Sequence, residues 1–173
     1  MKLLQLNKKG LNQVWMIAVI GLIMSNSVNA ATRIAILNFE LNDITSLPNT
    51  PAESSRTGSI KPLLEQALNN AGNYEIIHIN ADAQKAANSG FGYLFRFTDA
   101  AAKLGRQFGA DWVIVGQHSK PSFLYSYLMA HLINVKTQHL AGSYAIELKG
   151  SHEKVMHRGV KALADKITET VNQ

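Results

Sequence analysis

Six histidines in a chain of 173 residues without a cysteine are the first groups that offer chemistry. Imidazole binds zinc or copper through either ring nitrogen and exchanges protons near neutral pH, so His78, His118, His131, His139, His152 and His157 raise the question of a metal site. His152-Glu153 followed by His157 comes near the zinc-protease helix pattern. That pattern requires histidines four residues apart, so that both rings leave one helical face. Here they are five apart, about 140° round a helix, and the protease reading fails on geometry. His118 and His131 flank a strand turn and can converge with His139 only through the fold. The spacing assigns no metal ligands and no cofactor.

Ser151-x-x-Lys154 matches the acylating pair of penicillin-binding enzymes, in which the lysine helps to deprotonate the serine. The Ser-x-Asn and Lys-Thr-Gly elements of such sites are missing, and Ser151 stands where a helix needs its N-cap. There is no Gly-x-Ser-x-Gly elbow, no glycine-rich phosphate loop ending in lysine and no dinucleotide fingerprint. No residue is assigned a catalytic role.

Two aromatic clusters suit recognition better than chemistry. Phe91, Tyr93, Phe95 and Phe97 follow closely on Gly90 and Gly92, where mobile backbone and large apolar rings favour docking of a partner, unless the rings fold back onto their own core. A long strand over residues 122–135 would place Phe123, Tyr125, Tyr127, Met129, His131 and Ile133 on one face. Leu124, Ser126, Leu128, Ala130 and Leu132 would then lie on the other. If helices cover the leucine side, Phe123, Tyr125 and Tyr127 are available to a partner; if both sides are covered, they are core. Lys154, Arg158 and Lys161 with His157 form a basic stripe on the last helix and read as a solvated face.

The elements that must position these groups follow from periodicity. Residues 33–41 (RIAILNFEL) read as a first, largely buried strand, and residues 42–58, rich in Pro, Ser, Thr and Asn, as a long surface loop. Ile60, Leu63, Leu64, Ala67, Leu68 and Ala71 recur at helical spacing, with Gly72 as a stop. Residues 74–79 predict a strand, and 80–88 a short helix. Thr98 and Asp99 begin a helix that Gly109 ends. The run WVIVG at 112–116 is the pattern of a strand covered on both faces, and a turn near Ala141-Gly142 leads into a strand over 144–148. Met156, Val160, Leu163, Ile167 and Val171 line one side of a last helix. The expectation is a single α/β domain, a mixed sheet of about five strands packed with about four helices in the order β-α-β-α-α-β-β-β-α.

The first thirty residues differ from the rest. They hold Lys2, Lys8 and Lys9, an apolar run over 14–24 and a polar end at Val28-Asn29-Ala30, the three parts of a secretory signal with cleavage after Ala30. The run is about half the roughly 20 residues that span a bilayer, so membrane contact is expected only through the signal during export. A bacterial lipid anchor needs a cysteine at the cleavage point, and none is present, so the product is expected not to be a lipoprotein. Residues 1–30 are read as signal peptide and 31–173 as the domain. The formal charge of +5 falls to +2 once the three leader lysines are removed, which leaves no footprint for nucleic acid. A core without disulfides is reasonable, since a chain of about 140 residues buries roughly two thirds of its unfolded surface.

Residues 109–137 (GADWVIVGQHSKPSFLYSYLMAHLINVKT), the strand from Ile34 with Asn42-Asp43, Leu104-Gly105 before Gly109-Ala110-Asp111, and Lys149-Gly150 before the last helix resemble a family of exported bacterial proteins catalogued as domain of unknown function 3280. The resemblance spans most of residues 33–170. It implies a periplasmic setting and no established reaction, and it transfers no catalytic residue. Some of these relatives carry a cysteine pair before the Gly-Ala-Asp helix; its absence here removes a redox role at that place. At longer range the order of elements is similar to the amino-terminal domain of TolB and to outer-membrane lipoproteins that activate penicillin-binding proteins, an analogy of fold that implies docking modules.

These readings converge on a periplasmic accessory module that binds a periplasmic or envelope protein through Phe91, Tyr93, Phe95, Phe97, Phe123, Tyr125 and Tyr127. The alternatives are a small-ligand or metal binder using His118, His131 and His139, and a hydrolase of unfamiliar type. Amino-terminal sequencing of the protein from the periplasm of its native cell is expected to begin at Ala31; a cytosolic product retaining Met1 would remove the compartment and the partners with it.

Overall fold

The central strand has to satisfy both faces at once, and the rest of the domain is arranged around it. The computed structural model describes residues 31–45, 50–72, 74–150 and 153–173, which belong to one compact unit, Ala31–Gln173. The proposed signal peptide with its cleavage point after Ala30, and the proposed cap Ser151 with His152, lie outside the described residues. Strands β1 (Thr32–Ile36), β2 (Glu40–Asp43), β3 (Tyr74–Ile77), β4 (Trp112–Lys120), β5 (Tyr125–Asn134) and β6 (Leu140–Lys149) form one mixed sheet in the order β3-β1-β4-β5-β6, with β2 also paired to β4. β1 runs parallel to β3 and β4, β2 runs parallel to β4, and β4, β5 and β6 are successive antiparallel neighbours. The mixed single-domain α/β architecture expected from periodicity is the one found.

The helices are α1 (Pro51–Gly58), α2 (Ile60–Ala71), α3 (Ala81–Ala87), the single turn α4 (Tyr93–Arg96), α5 (Thr98–Gln107) and α6 (Glu153–Val171). On one face Leu64 and Leu68 of α2 and Val160, Leu163 and Ile167 of α6 close over Ile34, Ile36, Ile114, Leu128 and Leu132. On the other, Leu94 of α4 and Ala101 and Leu104 of α5 close over Ala35, Val113, Val115 and Ile133. Two-sided burial is why β4 opens on an uninterrupted apolar run. Among the described residues no helix is long and apolar enough to cross a membrane.

The first strand departs from its expected form in an instructive way. Ile36 pairs with Ile114 and Glu40 with Gln117, so four steps along the first strand match three along β4. Residues 37–39 hold the extra residue of a bulge, and the single strand expected over 33–41 becomes β1 and β2 on the same side of β4. The side chains change face across it, as a one-residue slip requires. Leu37 enters the second core and Phe39 the first, while the Leu37 N–H still donates to the Ile114 carbonyl at 2.9 Å.

Other boundaries moved for local reasons. The loop expected over 42–58 contains the end of β2 and all of α1: Thr50 caps the helix by accepting from the Glu53 N–H at 3.3 Å, and Pro51 occupies the first turn, where a missing donor is harmless. Residues read as turn formers are here cap and first-turn residues. α5 ends as expected at Gly109, whose φ of 76° suits glycine, but its cap position is Phe97 and makes no side-chain bond. β5 starts at Tyr125, not Ser122, because Ser122 accepts from the Leu124 N–H at 3.0 Å and holds the connection in a turn. The second hairpin turns at residues 135–138, where Gln138 takes a φ of 63°; Ala141-Gly142, expected as the turn, lies inside β6 next to a register shift.

The Phe39 ring packs over Gly116 of β4, and a Cβ there would overlap it at several atoms. Gly116→Ala is expected to cost about 1–3 kcal/mol in chemical denaturation, the usual penalty of overpacking a filled core.

Candidate functional site

Among the described residues one histidine is buried, and it lies on the first face of β4. His118 is fully buried, with Nδ1 2.8 Å from Thr57 Oγ1 of α1 and Nε2 3.0 Å from Ser126 Oγ of β5. Burial pushes its pKa down to about 4, and the nearby Arg56 guanidinium adds to the effect. Above it Lys120 Nζ donates to Asp43 Oδ2 at 3.1 Å and lies 3.5 Å from Glu53 Oε1, while Glu53 also holds Arg56. Hydrogen bonds from Thr45, then Lys120, keep the Asp43 carboxyl below its usual range against the opposing effect of burial. Two cations and two carboxylates thus balance over a neutral imidazole, beside a pit of about 210 Å³ lined by Ser122, Tyr125, Ser126 and Gly150.

That arrangement is poor at nucleophilic chemistry. A serine–histidine pair needs a basic imidazole, a third group that orients it and an accessible hydroxyl. His118 resists protonation, Thr57 replaces a carboxylate, and Ser126 is buried. Among the described residues this geometry does not favour the hydrolase reading. Thr57 and Ser126 were not legible as partners of His118; the available signal was a lone serine within the leucine face of β5.

The three histidines weighed as metal ligands are not brought together. His118 pairs across the hairpin with Leu128, of the first core, whereas His131 pairs with Val115, of the second, so the two rings leave opposite faces of the sheet. An odd separation along an antiparallel hairpin produces this. His139 lies exposed in the connection to β6, His78 is exposed 3.6 Å from Glu65, and His157 lies 3.5 Å from Glu153. Among the described residues no group of histidine and carboxylate side chains is disposed to hold a metal ion.

His131 instead anchors the first aromatic cluster. Phe95 stacks on its ring with centroids 3.9 Å apart, and the Phe95 carbonyl accepts from Nδ1 at 3.0 Å. Burial lowers the His131 pKa in spite of that bond. Glu40, turned to this face by the bulge, accepts from the Gly92 N–H at 2.7 Å and from Asn88 Nδ2 at 2.8 Å. The segment is therefore divided. Tyr93 and Phe95 are half-buried against the second core, whereas Phe91 and Phe97 are 56% and 47% exposed, Phe97 resting against Tyr93 at 4.8 Å between centroids.

The second cluster is more open and includes two residues that periodicity did not single out. Phe123 is 61% exposed, Leu124 79% and Ile44 69%, with Tyr125 beside them and Tyr127 half-buried edge-to-face with Tyr125 at 5.7 Å. The Ile44 N–H donates to the Lys120 carbonyl at 3.3 Å, and the Gly150 N–H to the Leu124 carbonyl at 3.2 Å. These bonds tie β2 to β4 and β6 to β5 at one end of the sheet, where Phe123, Leu124 and Tyr125 line the charged pit and Ile44 follows the end of β2. Leu124, assigned by alternation to the buried leucine face, precedes the strand and so escapes its alternation; Phe123 does likewise.

The family model DUF3280, described as "Protein of unknown function (DUF2380)", matches residues 32–167. The chain belongs to this family. No curated protein matches it. Among solved structures, the PelC dodecamer from Paraburkholderia phytofirmans is similar at a TM-score of 0.52 and 13% identity, covering 82% of this chain and 88% of that one. The LpoB C-terminal domain from Salmonella enterica is similar at 0.46 and 18% identity, over 76% of this chain and 93% of that one. TolB from Acinetobacter baumannii is similar at 0.48 and 16% identity, over 83% of this chain but only 28% of that one. At such identities the likeness to PelC concerns the fold.

The burial of His118 has a measurable consequence. Its folded pKa lies below its unfolded value, so the unfolded chain binds the extra proton first, and stability present above about pH 6.5 is lost as pH falls toward 4. The full difference amounts to about 3 kcal/mol. Urea denaturation at pH 7.5 and 5 is expected to show the loss, and His118→Gln to reduce the slope, leaving the smaller contribution of His131; an unchanged slope would contradict the buried neutral imidazole.

Proposed function

We propose that this protein is an exported envelope module, without catalytic activity of its own, that docks onto another protein through the apolar tip formed by Ile44, Phe123, Leu124 and Tyr125. The observation that carries the reading is the gathering of large exposed apolar side chains at one end of the sheet, on a rigid frame of strand ends. Such patches are uncommon on surfaces that meet only water, and rigid aromatic and aliphatic anchors dominate binding energy at interfaces. Tyr127, Phe91 and Phe97 extend the candidate surface, whereas Tyr93 and Phe95 act mainly by holding their own segment on the sheet. The periplasmic compartment rests on the leader in residues 1–30 and on the resemblance to exported proteins. Assembly of a structurally similar protein, PelC, as a dodecamer is in keeping with a fold that works by association.

The reading is tested by placing a photo-crosslinking amino acid at Leu124, and separately at the remote Lys103, in the protein expressed in its native cell. Adducts to a discrete envelope protein are expected from position 124 and not from 103. Phe123→Ser combined with Leu124→Ser should leave folding intact, because both side chains are exposed, and should weaken capture of that partner at least about tenfold. Equal capture by the folded double variant would place the docking surface elsewhere.

A further inference from the structure

The two strands that end the order β3-β1-β4-β5-β6 are guarded very differently. β3 has four residues, one of them Glu75, and a short edge offers little to a foreign strand. β6 has ten, and residues 140–146 carry neither charge nor proline. Its charges come only at Glu147 and Lys149. Among the described residues nothing pairs with its outer side.

The hydrogen bonding defines what that side presents. The Gly150 N–H donates to Leu124, and in the register Tyr125 with Lys149, Ser126 with Leu148 and onward, the even-numbered residues of β6 turn their backbone groups toward β5. Ser143, Ala145, Glu147 and Lys149 therefore turn their N–H and C=O groups outward. Ala141 is skipped in the pairing of Leu132 with Gly142 and Ile133 with Leu140, so the regular edge begins at Gly142.

From this edge we infer that β6 pairs antiparallel with β6 of a second copy of this chain, centred on Ala145, making one continuous sheet across a twofold axis. Antiparallel neighbours present their side chains to the same face, so a strand that pairs with itself must be centred on a residue. Centring on Glu147 would oppose two carboxylates, centring on Ile146 would leave them diagonal neighbours, and centring on Tyr144 would set Glu147 against the irregular Ala141. On Ala145 the two carboxylates are kept apart, and the one charged residue left opposite Ala141 is Lys149, at the outer end of the pairing. Ser143 faces Glu147 of the second copy and can donate its hydroxyl to the carboxylate. Tyr144 faces Ile146, an aromatic with a β-branched residue, and the two small Ala145 side chains meet at the axis.

The absence of native cysteine makes the register directly testable. In the purified protein as isolated from its cell, Ala145→Cys is expected to form a disulfide-linked dimer under mild oxidation at least about tenfold faster than Ser143→Cys or Glu147→Cys alone. Those two variants mixed should instead crosslink to each other. Sedimentation at about 100 µM should show a dimer for the wild type and a folded monomer for Ala145→Lys, which sets two ammonium groups at the axis. A wild type that remains monomeric, or equal crosslinking from positions 143 and 145, would overturn the pairing while leaving the docking tip untouched.

Discussion

The single residue inserted between β1 and β2 is the constraint on which most of this architecture depends. Without it the side chains of β2 would project to the opposite faces, and Glu40 would point into the leucine-lined core instead of toward the aromatic segment. With it, Leu37 and Phe39 enter different cores within three positions, and Phe39 lies across Gly116. The tight approach at Gly116 and the bulge are therefore one device. Phe39 occupies the space that a side chain on β4 would otherwise take.

The device also explains where polar groups are placed. Glu40 receives the Gly92 N–H and Asn88, and so pins the start of a segment whose Phe95 then stacks on His131. Further along β2, Asp43 reaches Lys120 and closes the balanced charges over His118. A buried imidazole flanked by two cations is tolerable only while neutral, and the two hydroxyls of Thr57 and Ser126 satisfy its nitrogens in that state. The cluster that most resembles catalytic equipment thereby joins α1, β4 and β5 and holds the strand ends in place.

What those strand ends support is an apolar tip that water alone does not account for. Its members come from two connections distant in sequence, Ile44 after β2 and Phe123 and Leu124 before β5. Ile44 and Leu124 are held by backbone bonds to neighbouring strands, which lowers the conformational entropy that the proposed docking would cost. An outer strand with self-compatible spacing gives the same domain a second, independent route to association.

Much was legible from order alone. Periodicity revealed the layered α/β domain, the doubly buried β4 and the apolar stripe of α6, because helix and strand periods are local properties of the chain and each stripe must face a core. Phe91, Phe97, Phe123 and Tyr125 were recognisable as candidate contacts from residue type, and all four are exposed. Only the tertiary structure decided that Thr57 and Ser126 meet His118, that His131 and His118 lie back to back, and that Ile44 and Leu124 complete the tip. Those facts depend on a one-residue insertion and on where a hairpin begins. Each changes which face a side chain joins while hardly altering the hydrophobic pattern, so only pairing between strands distant in sequence could fix them.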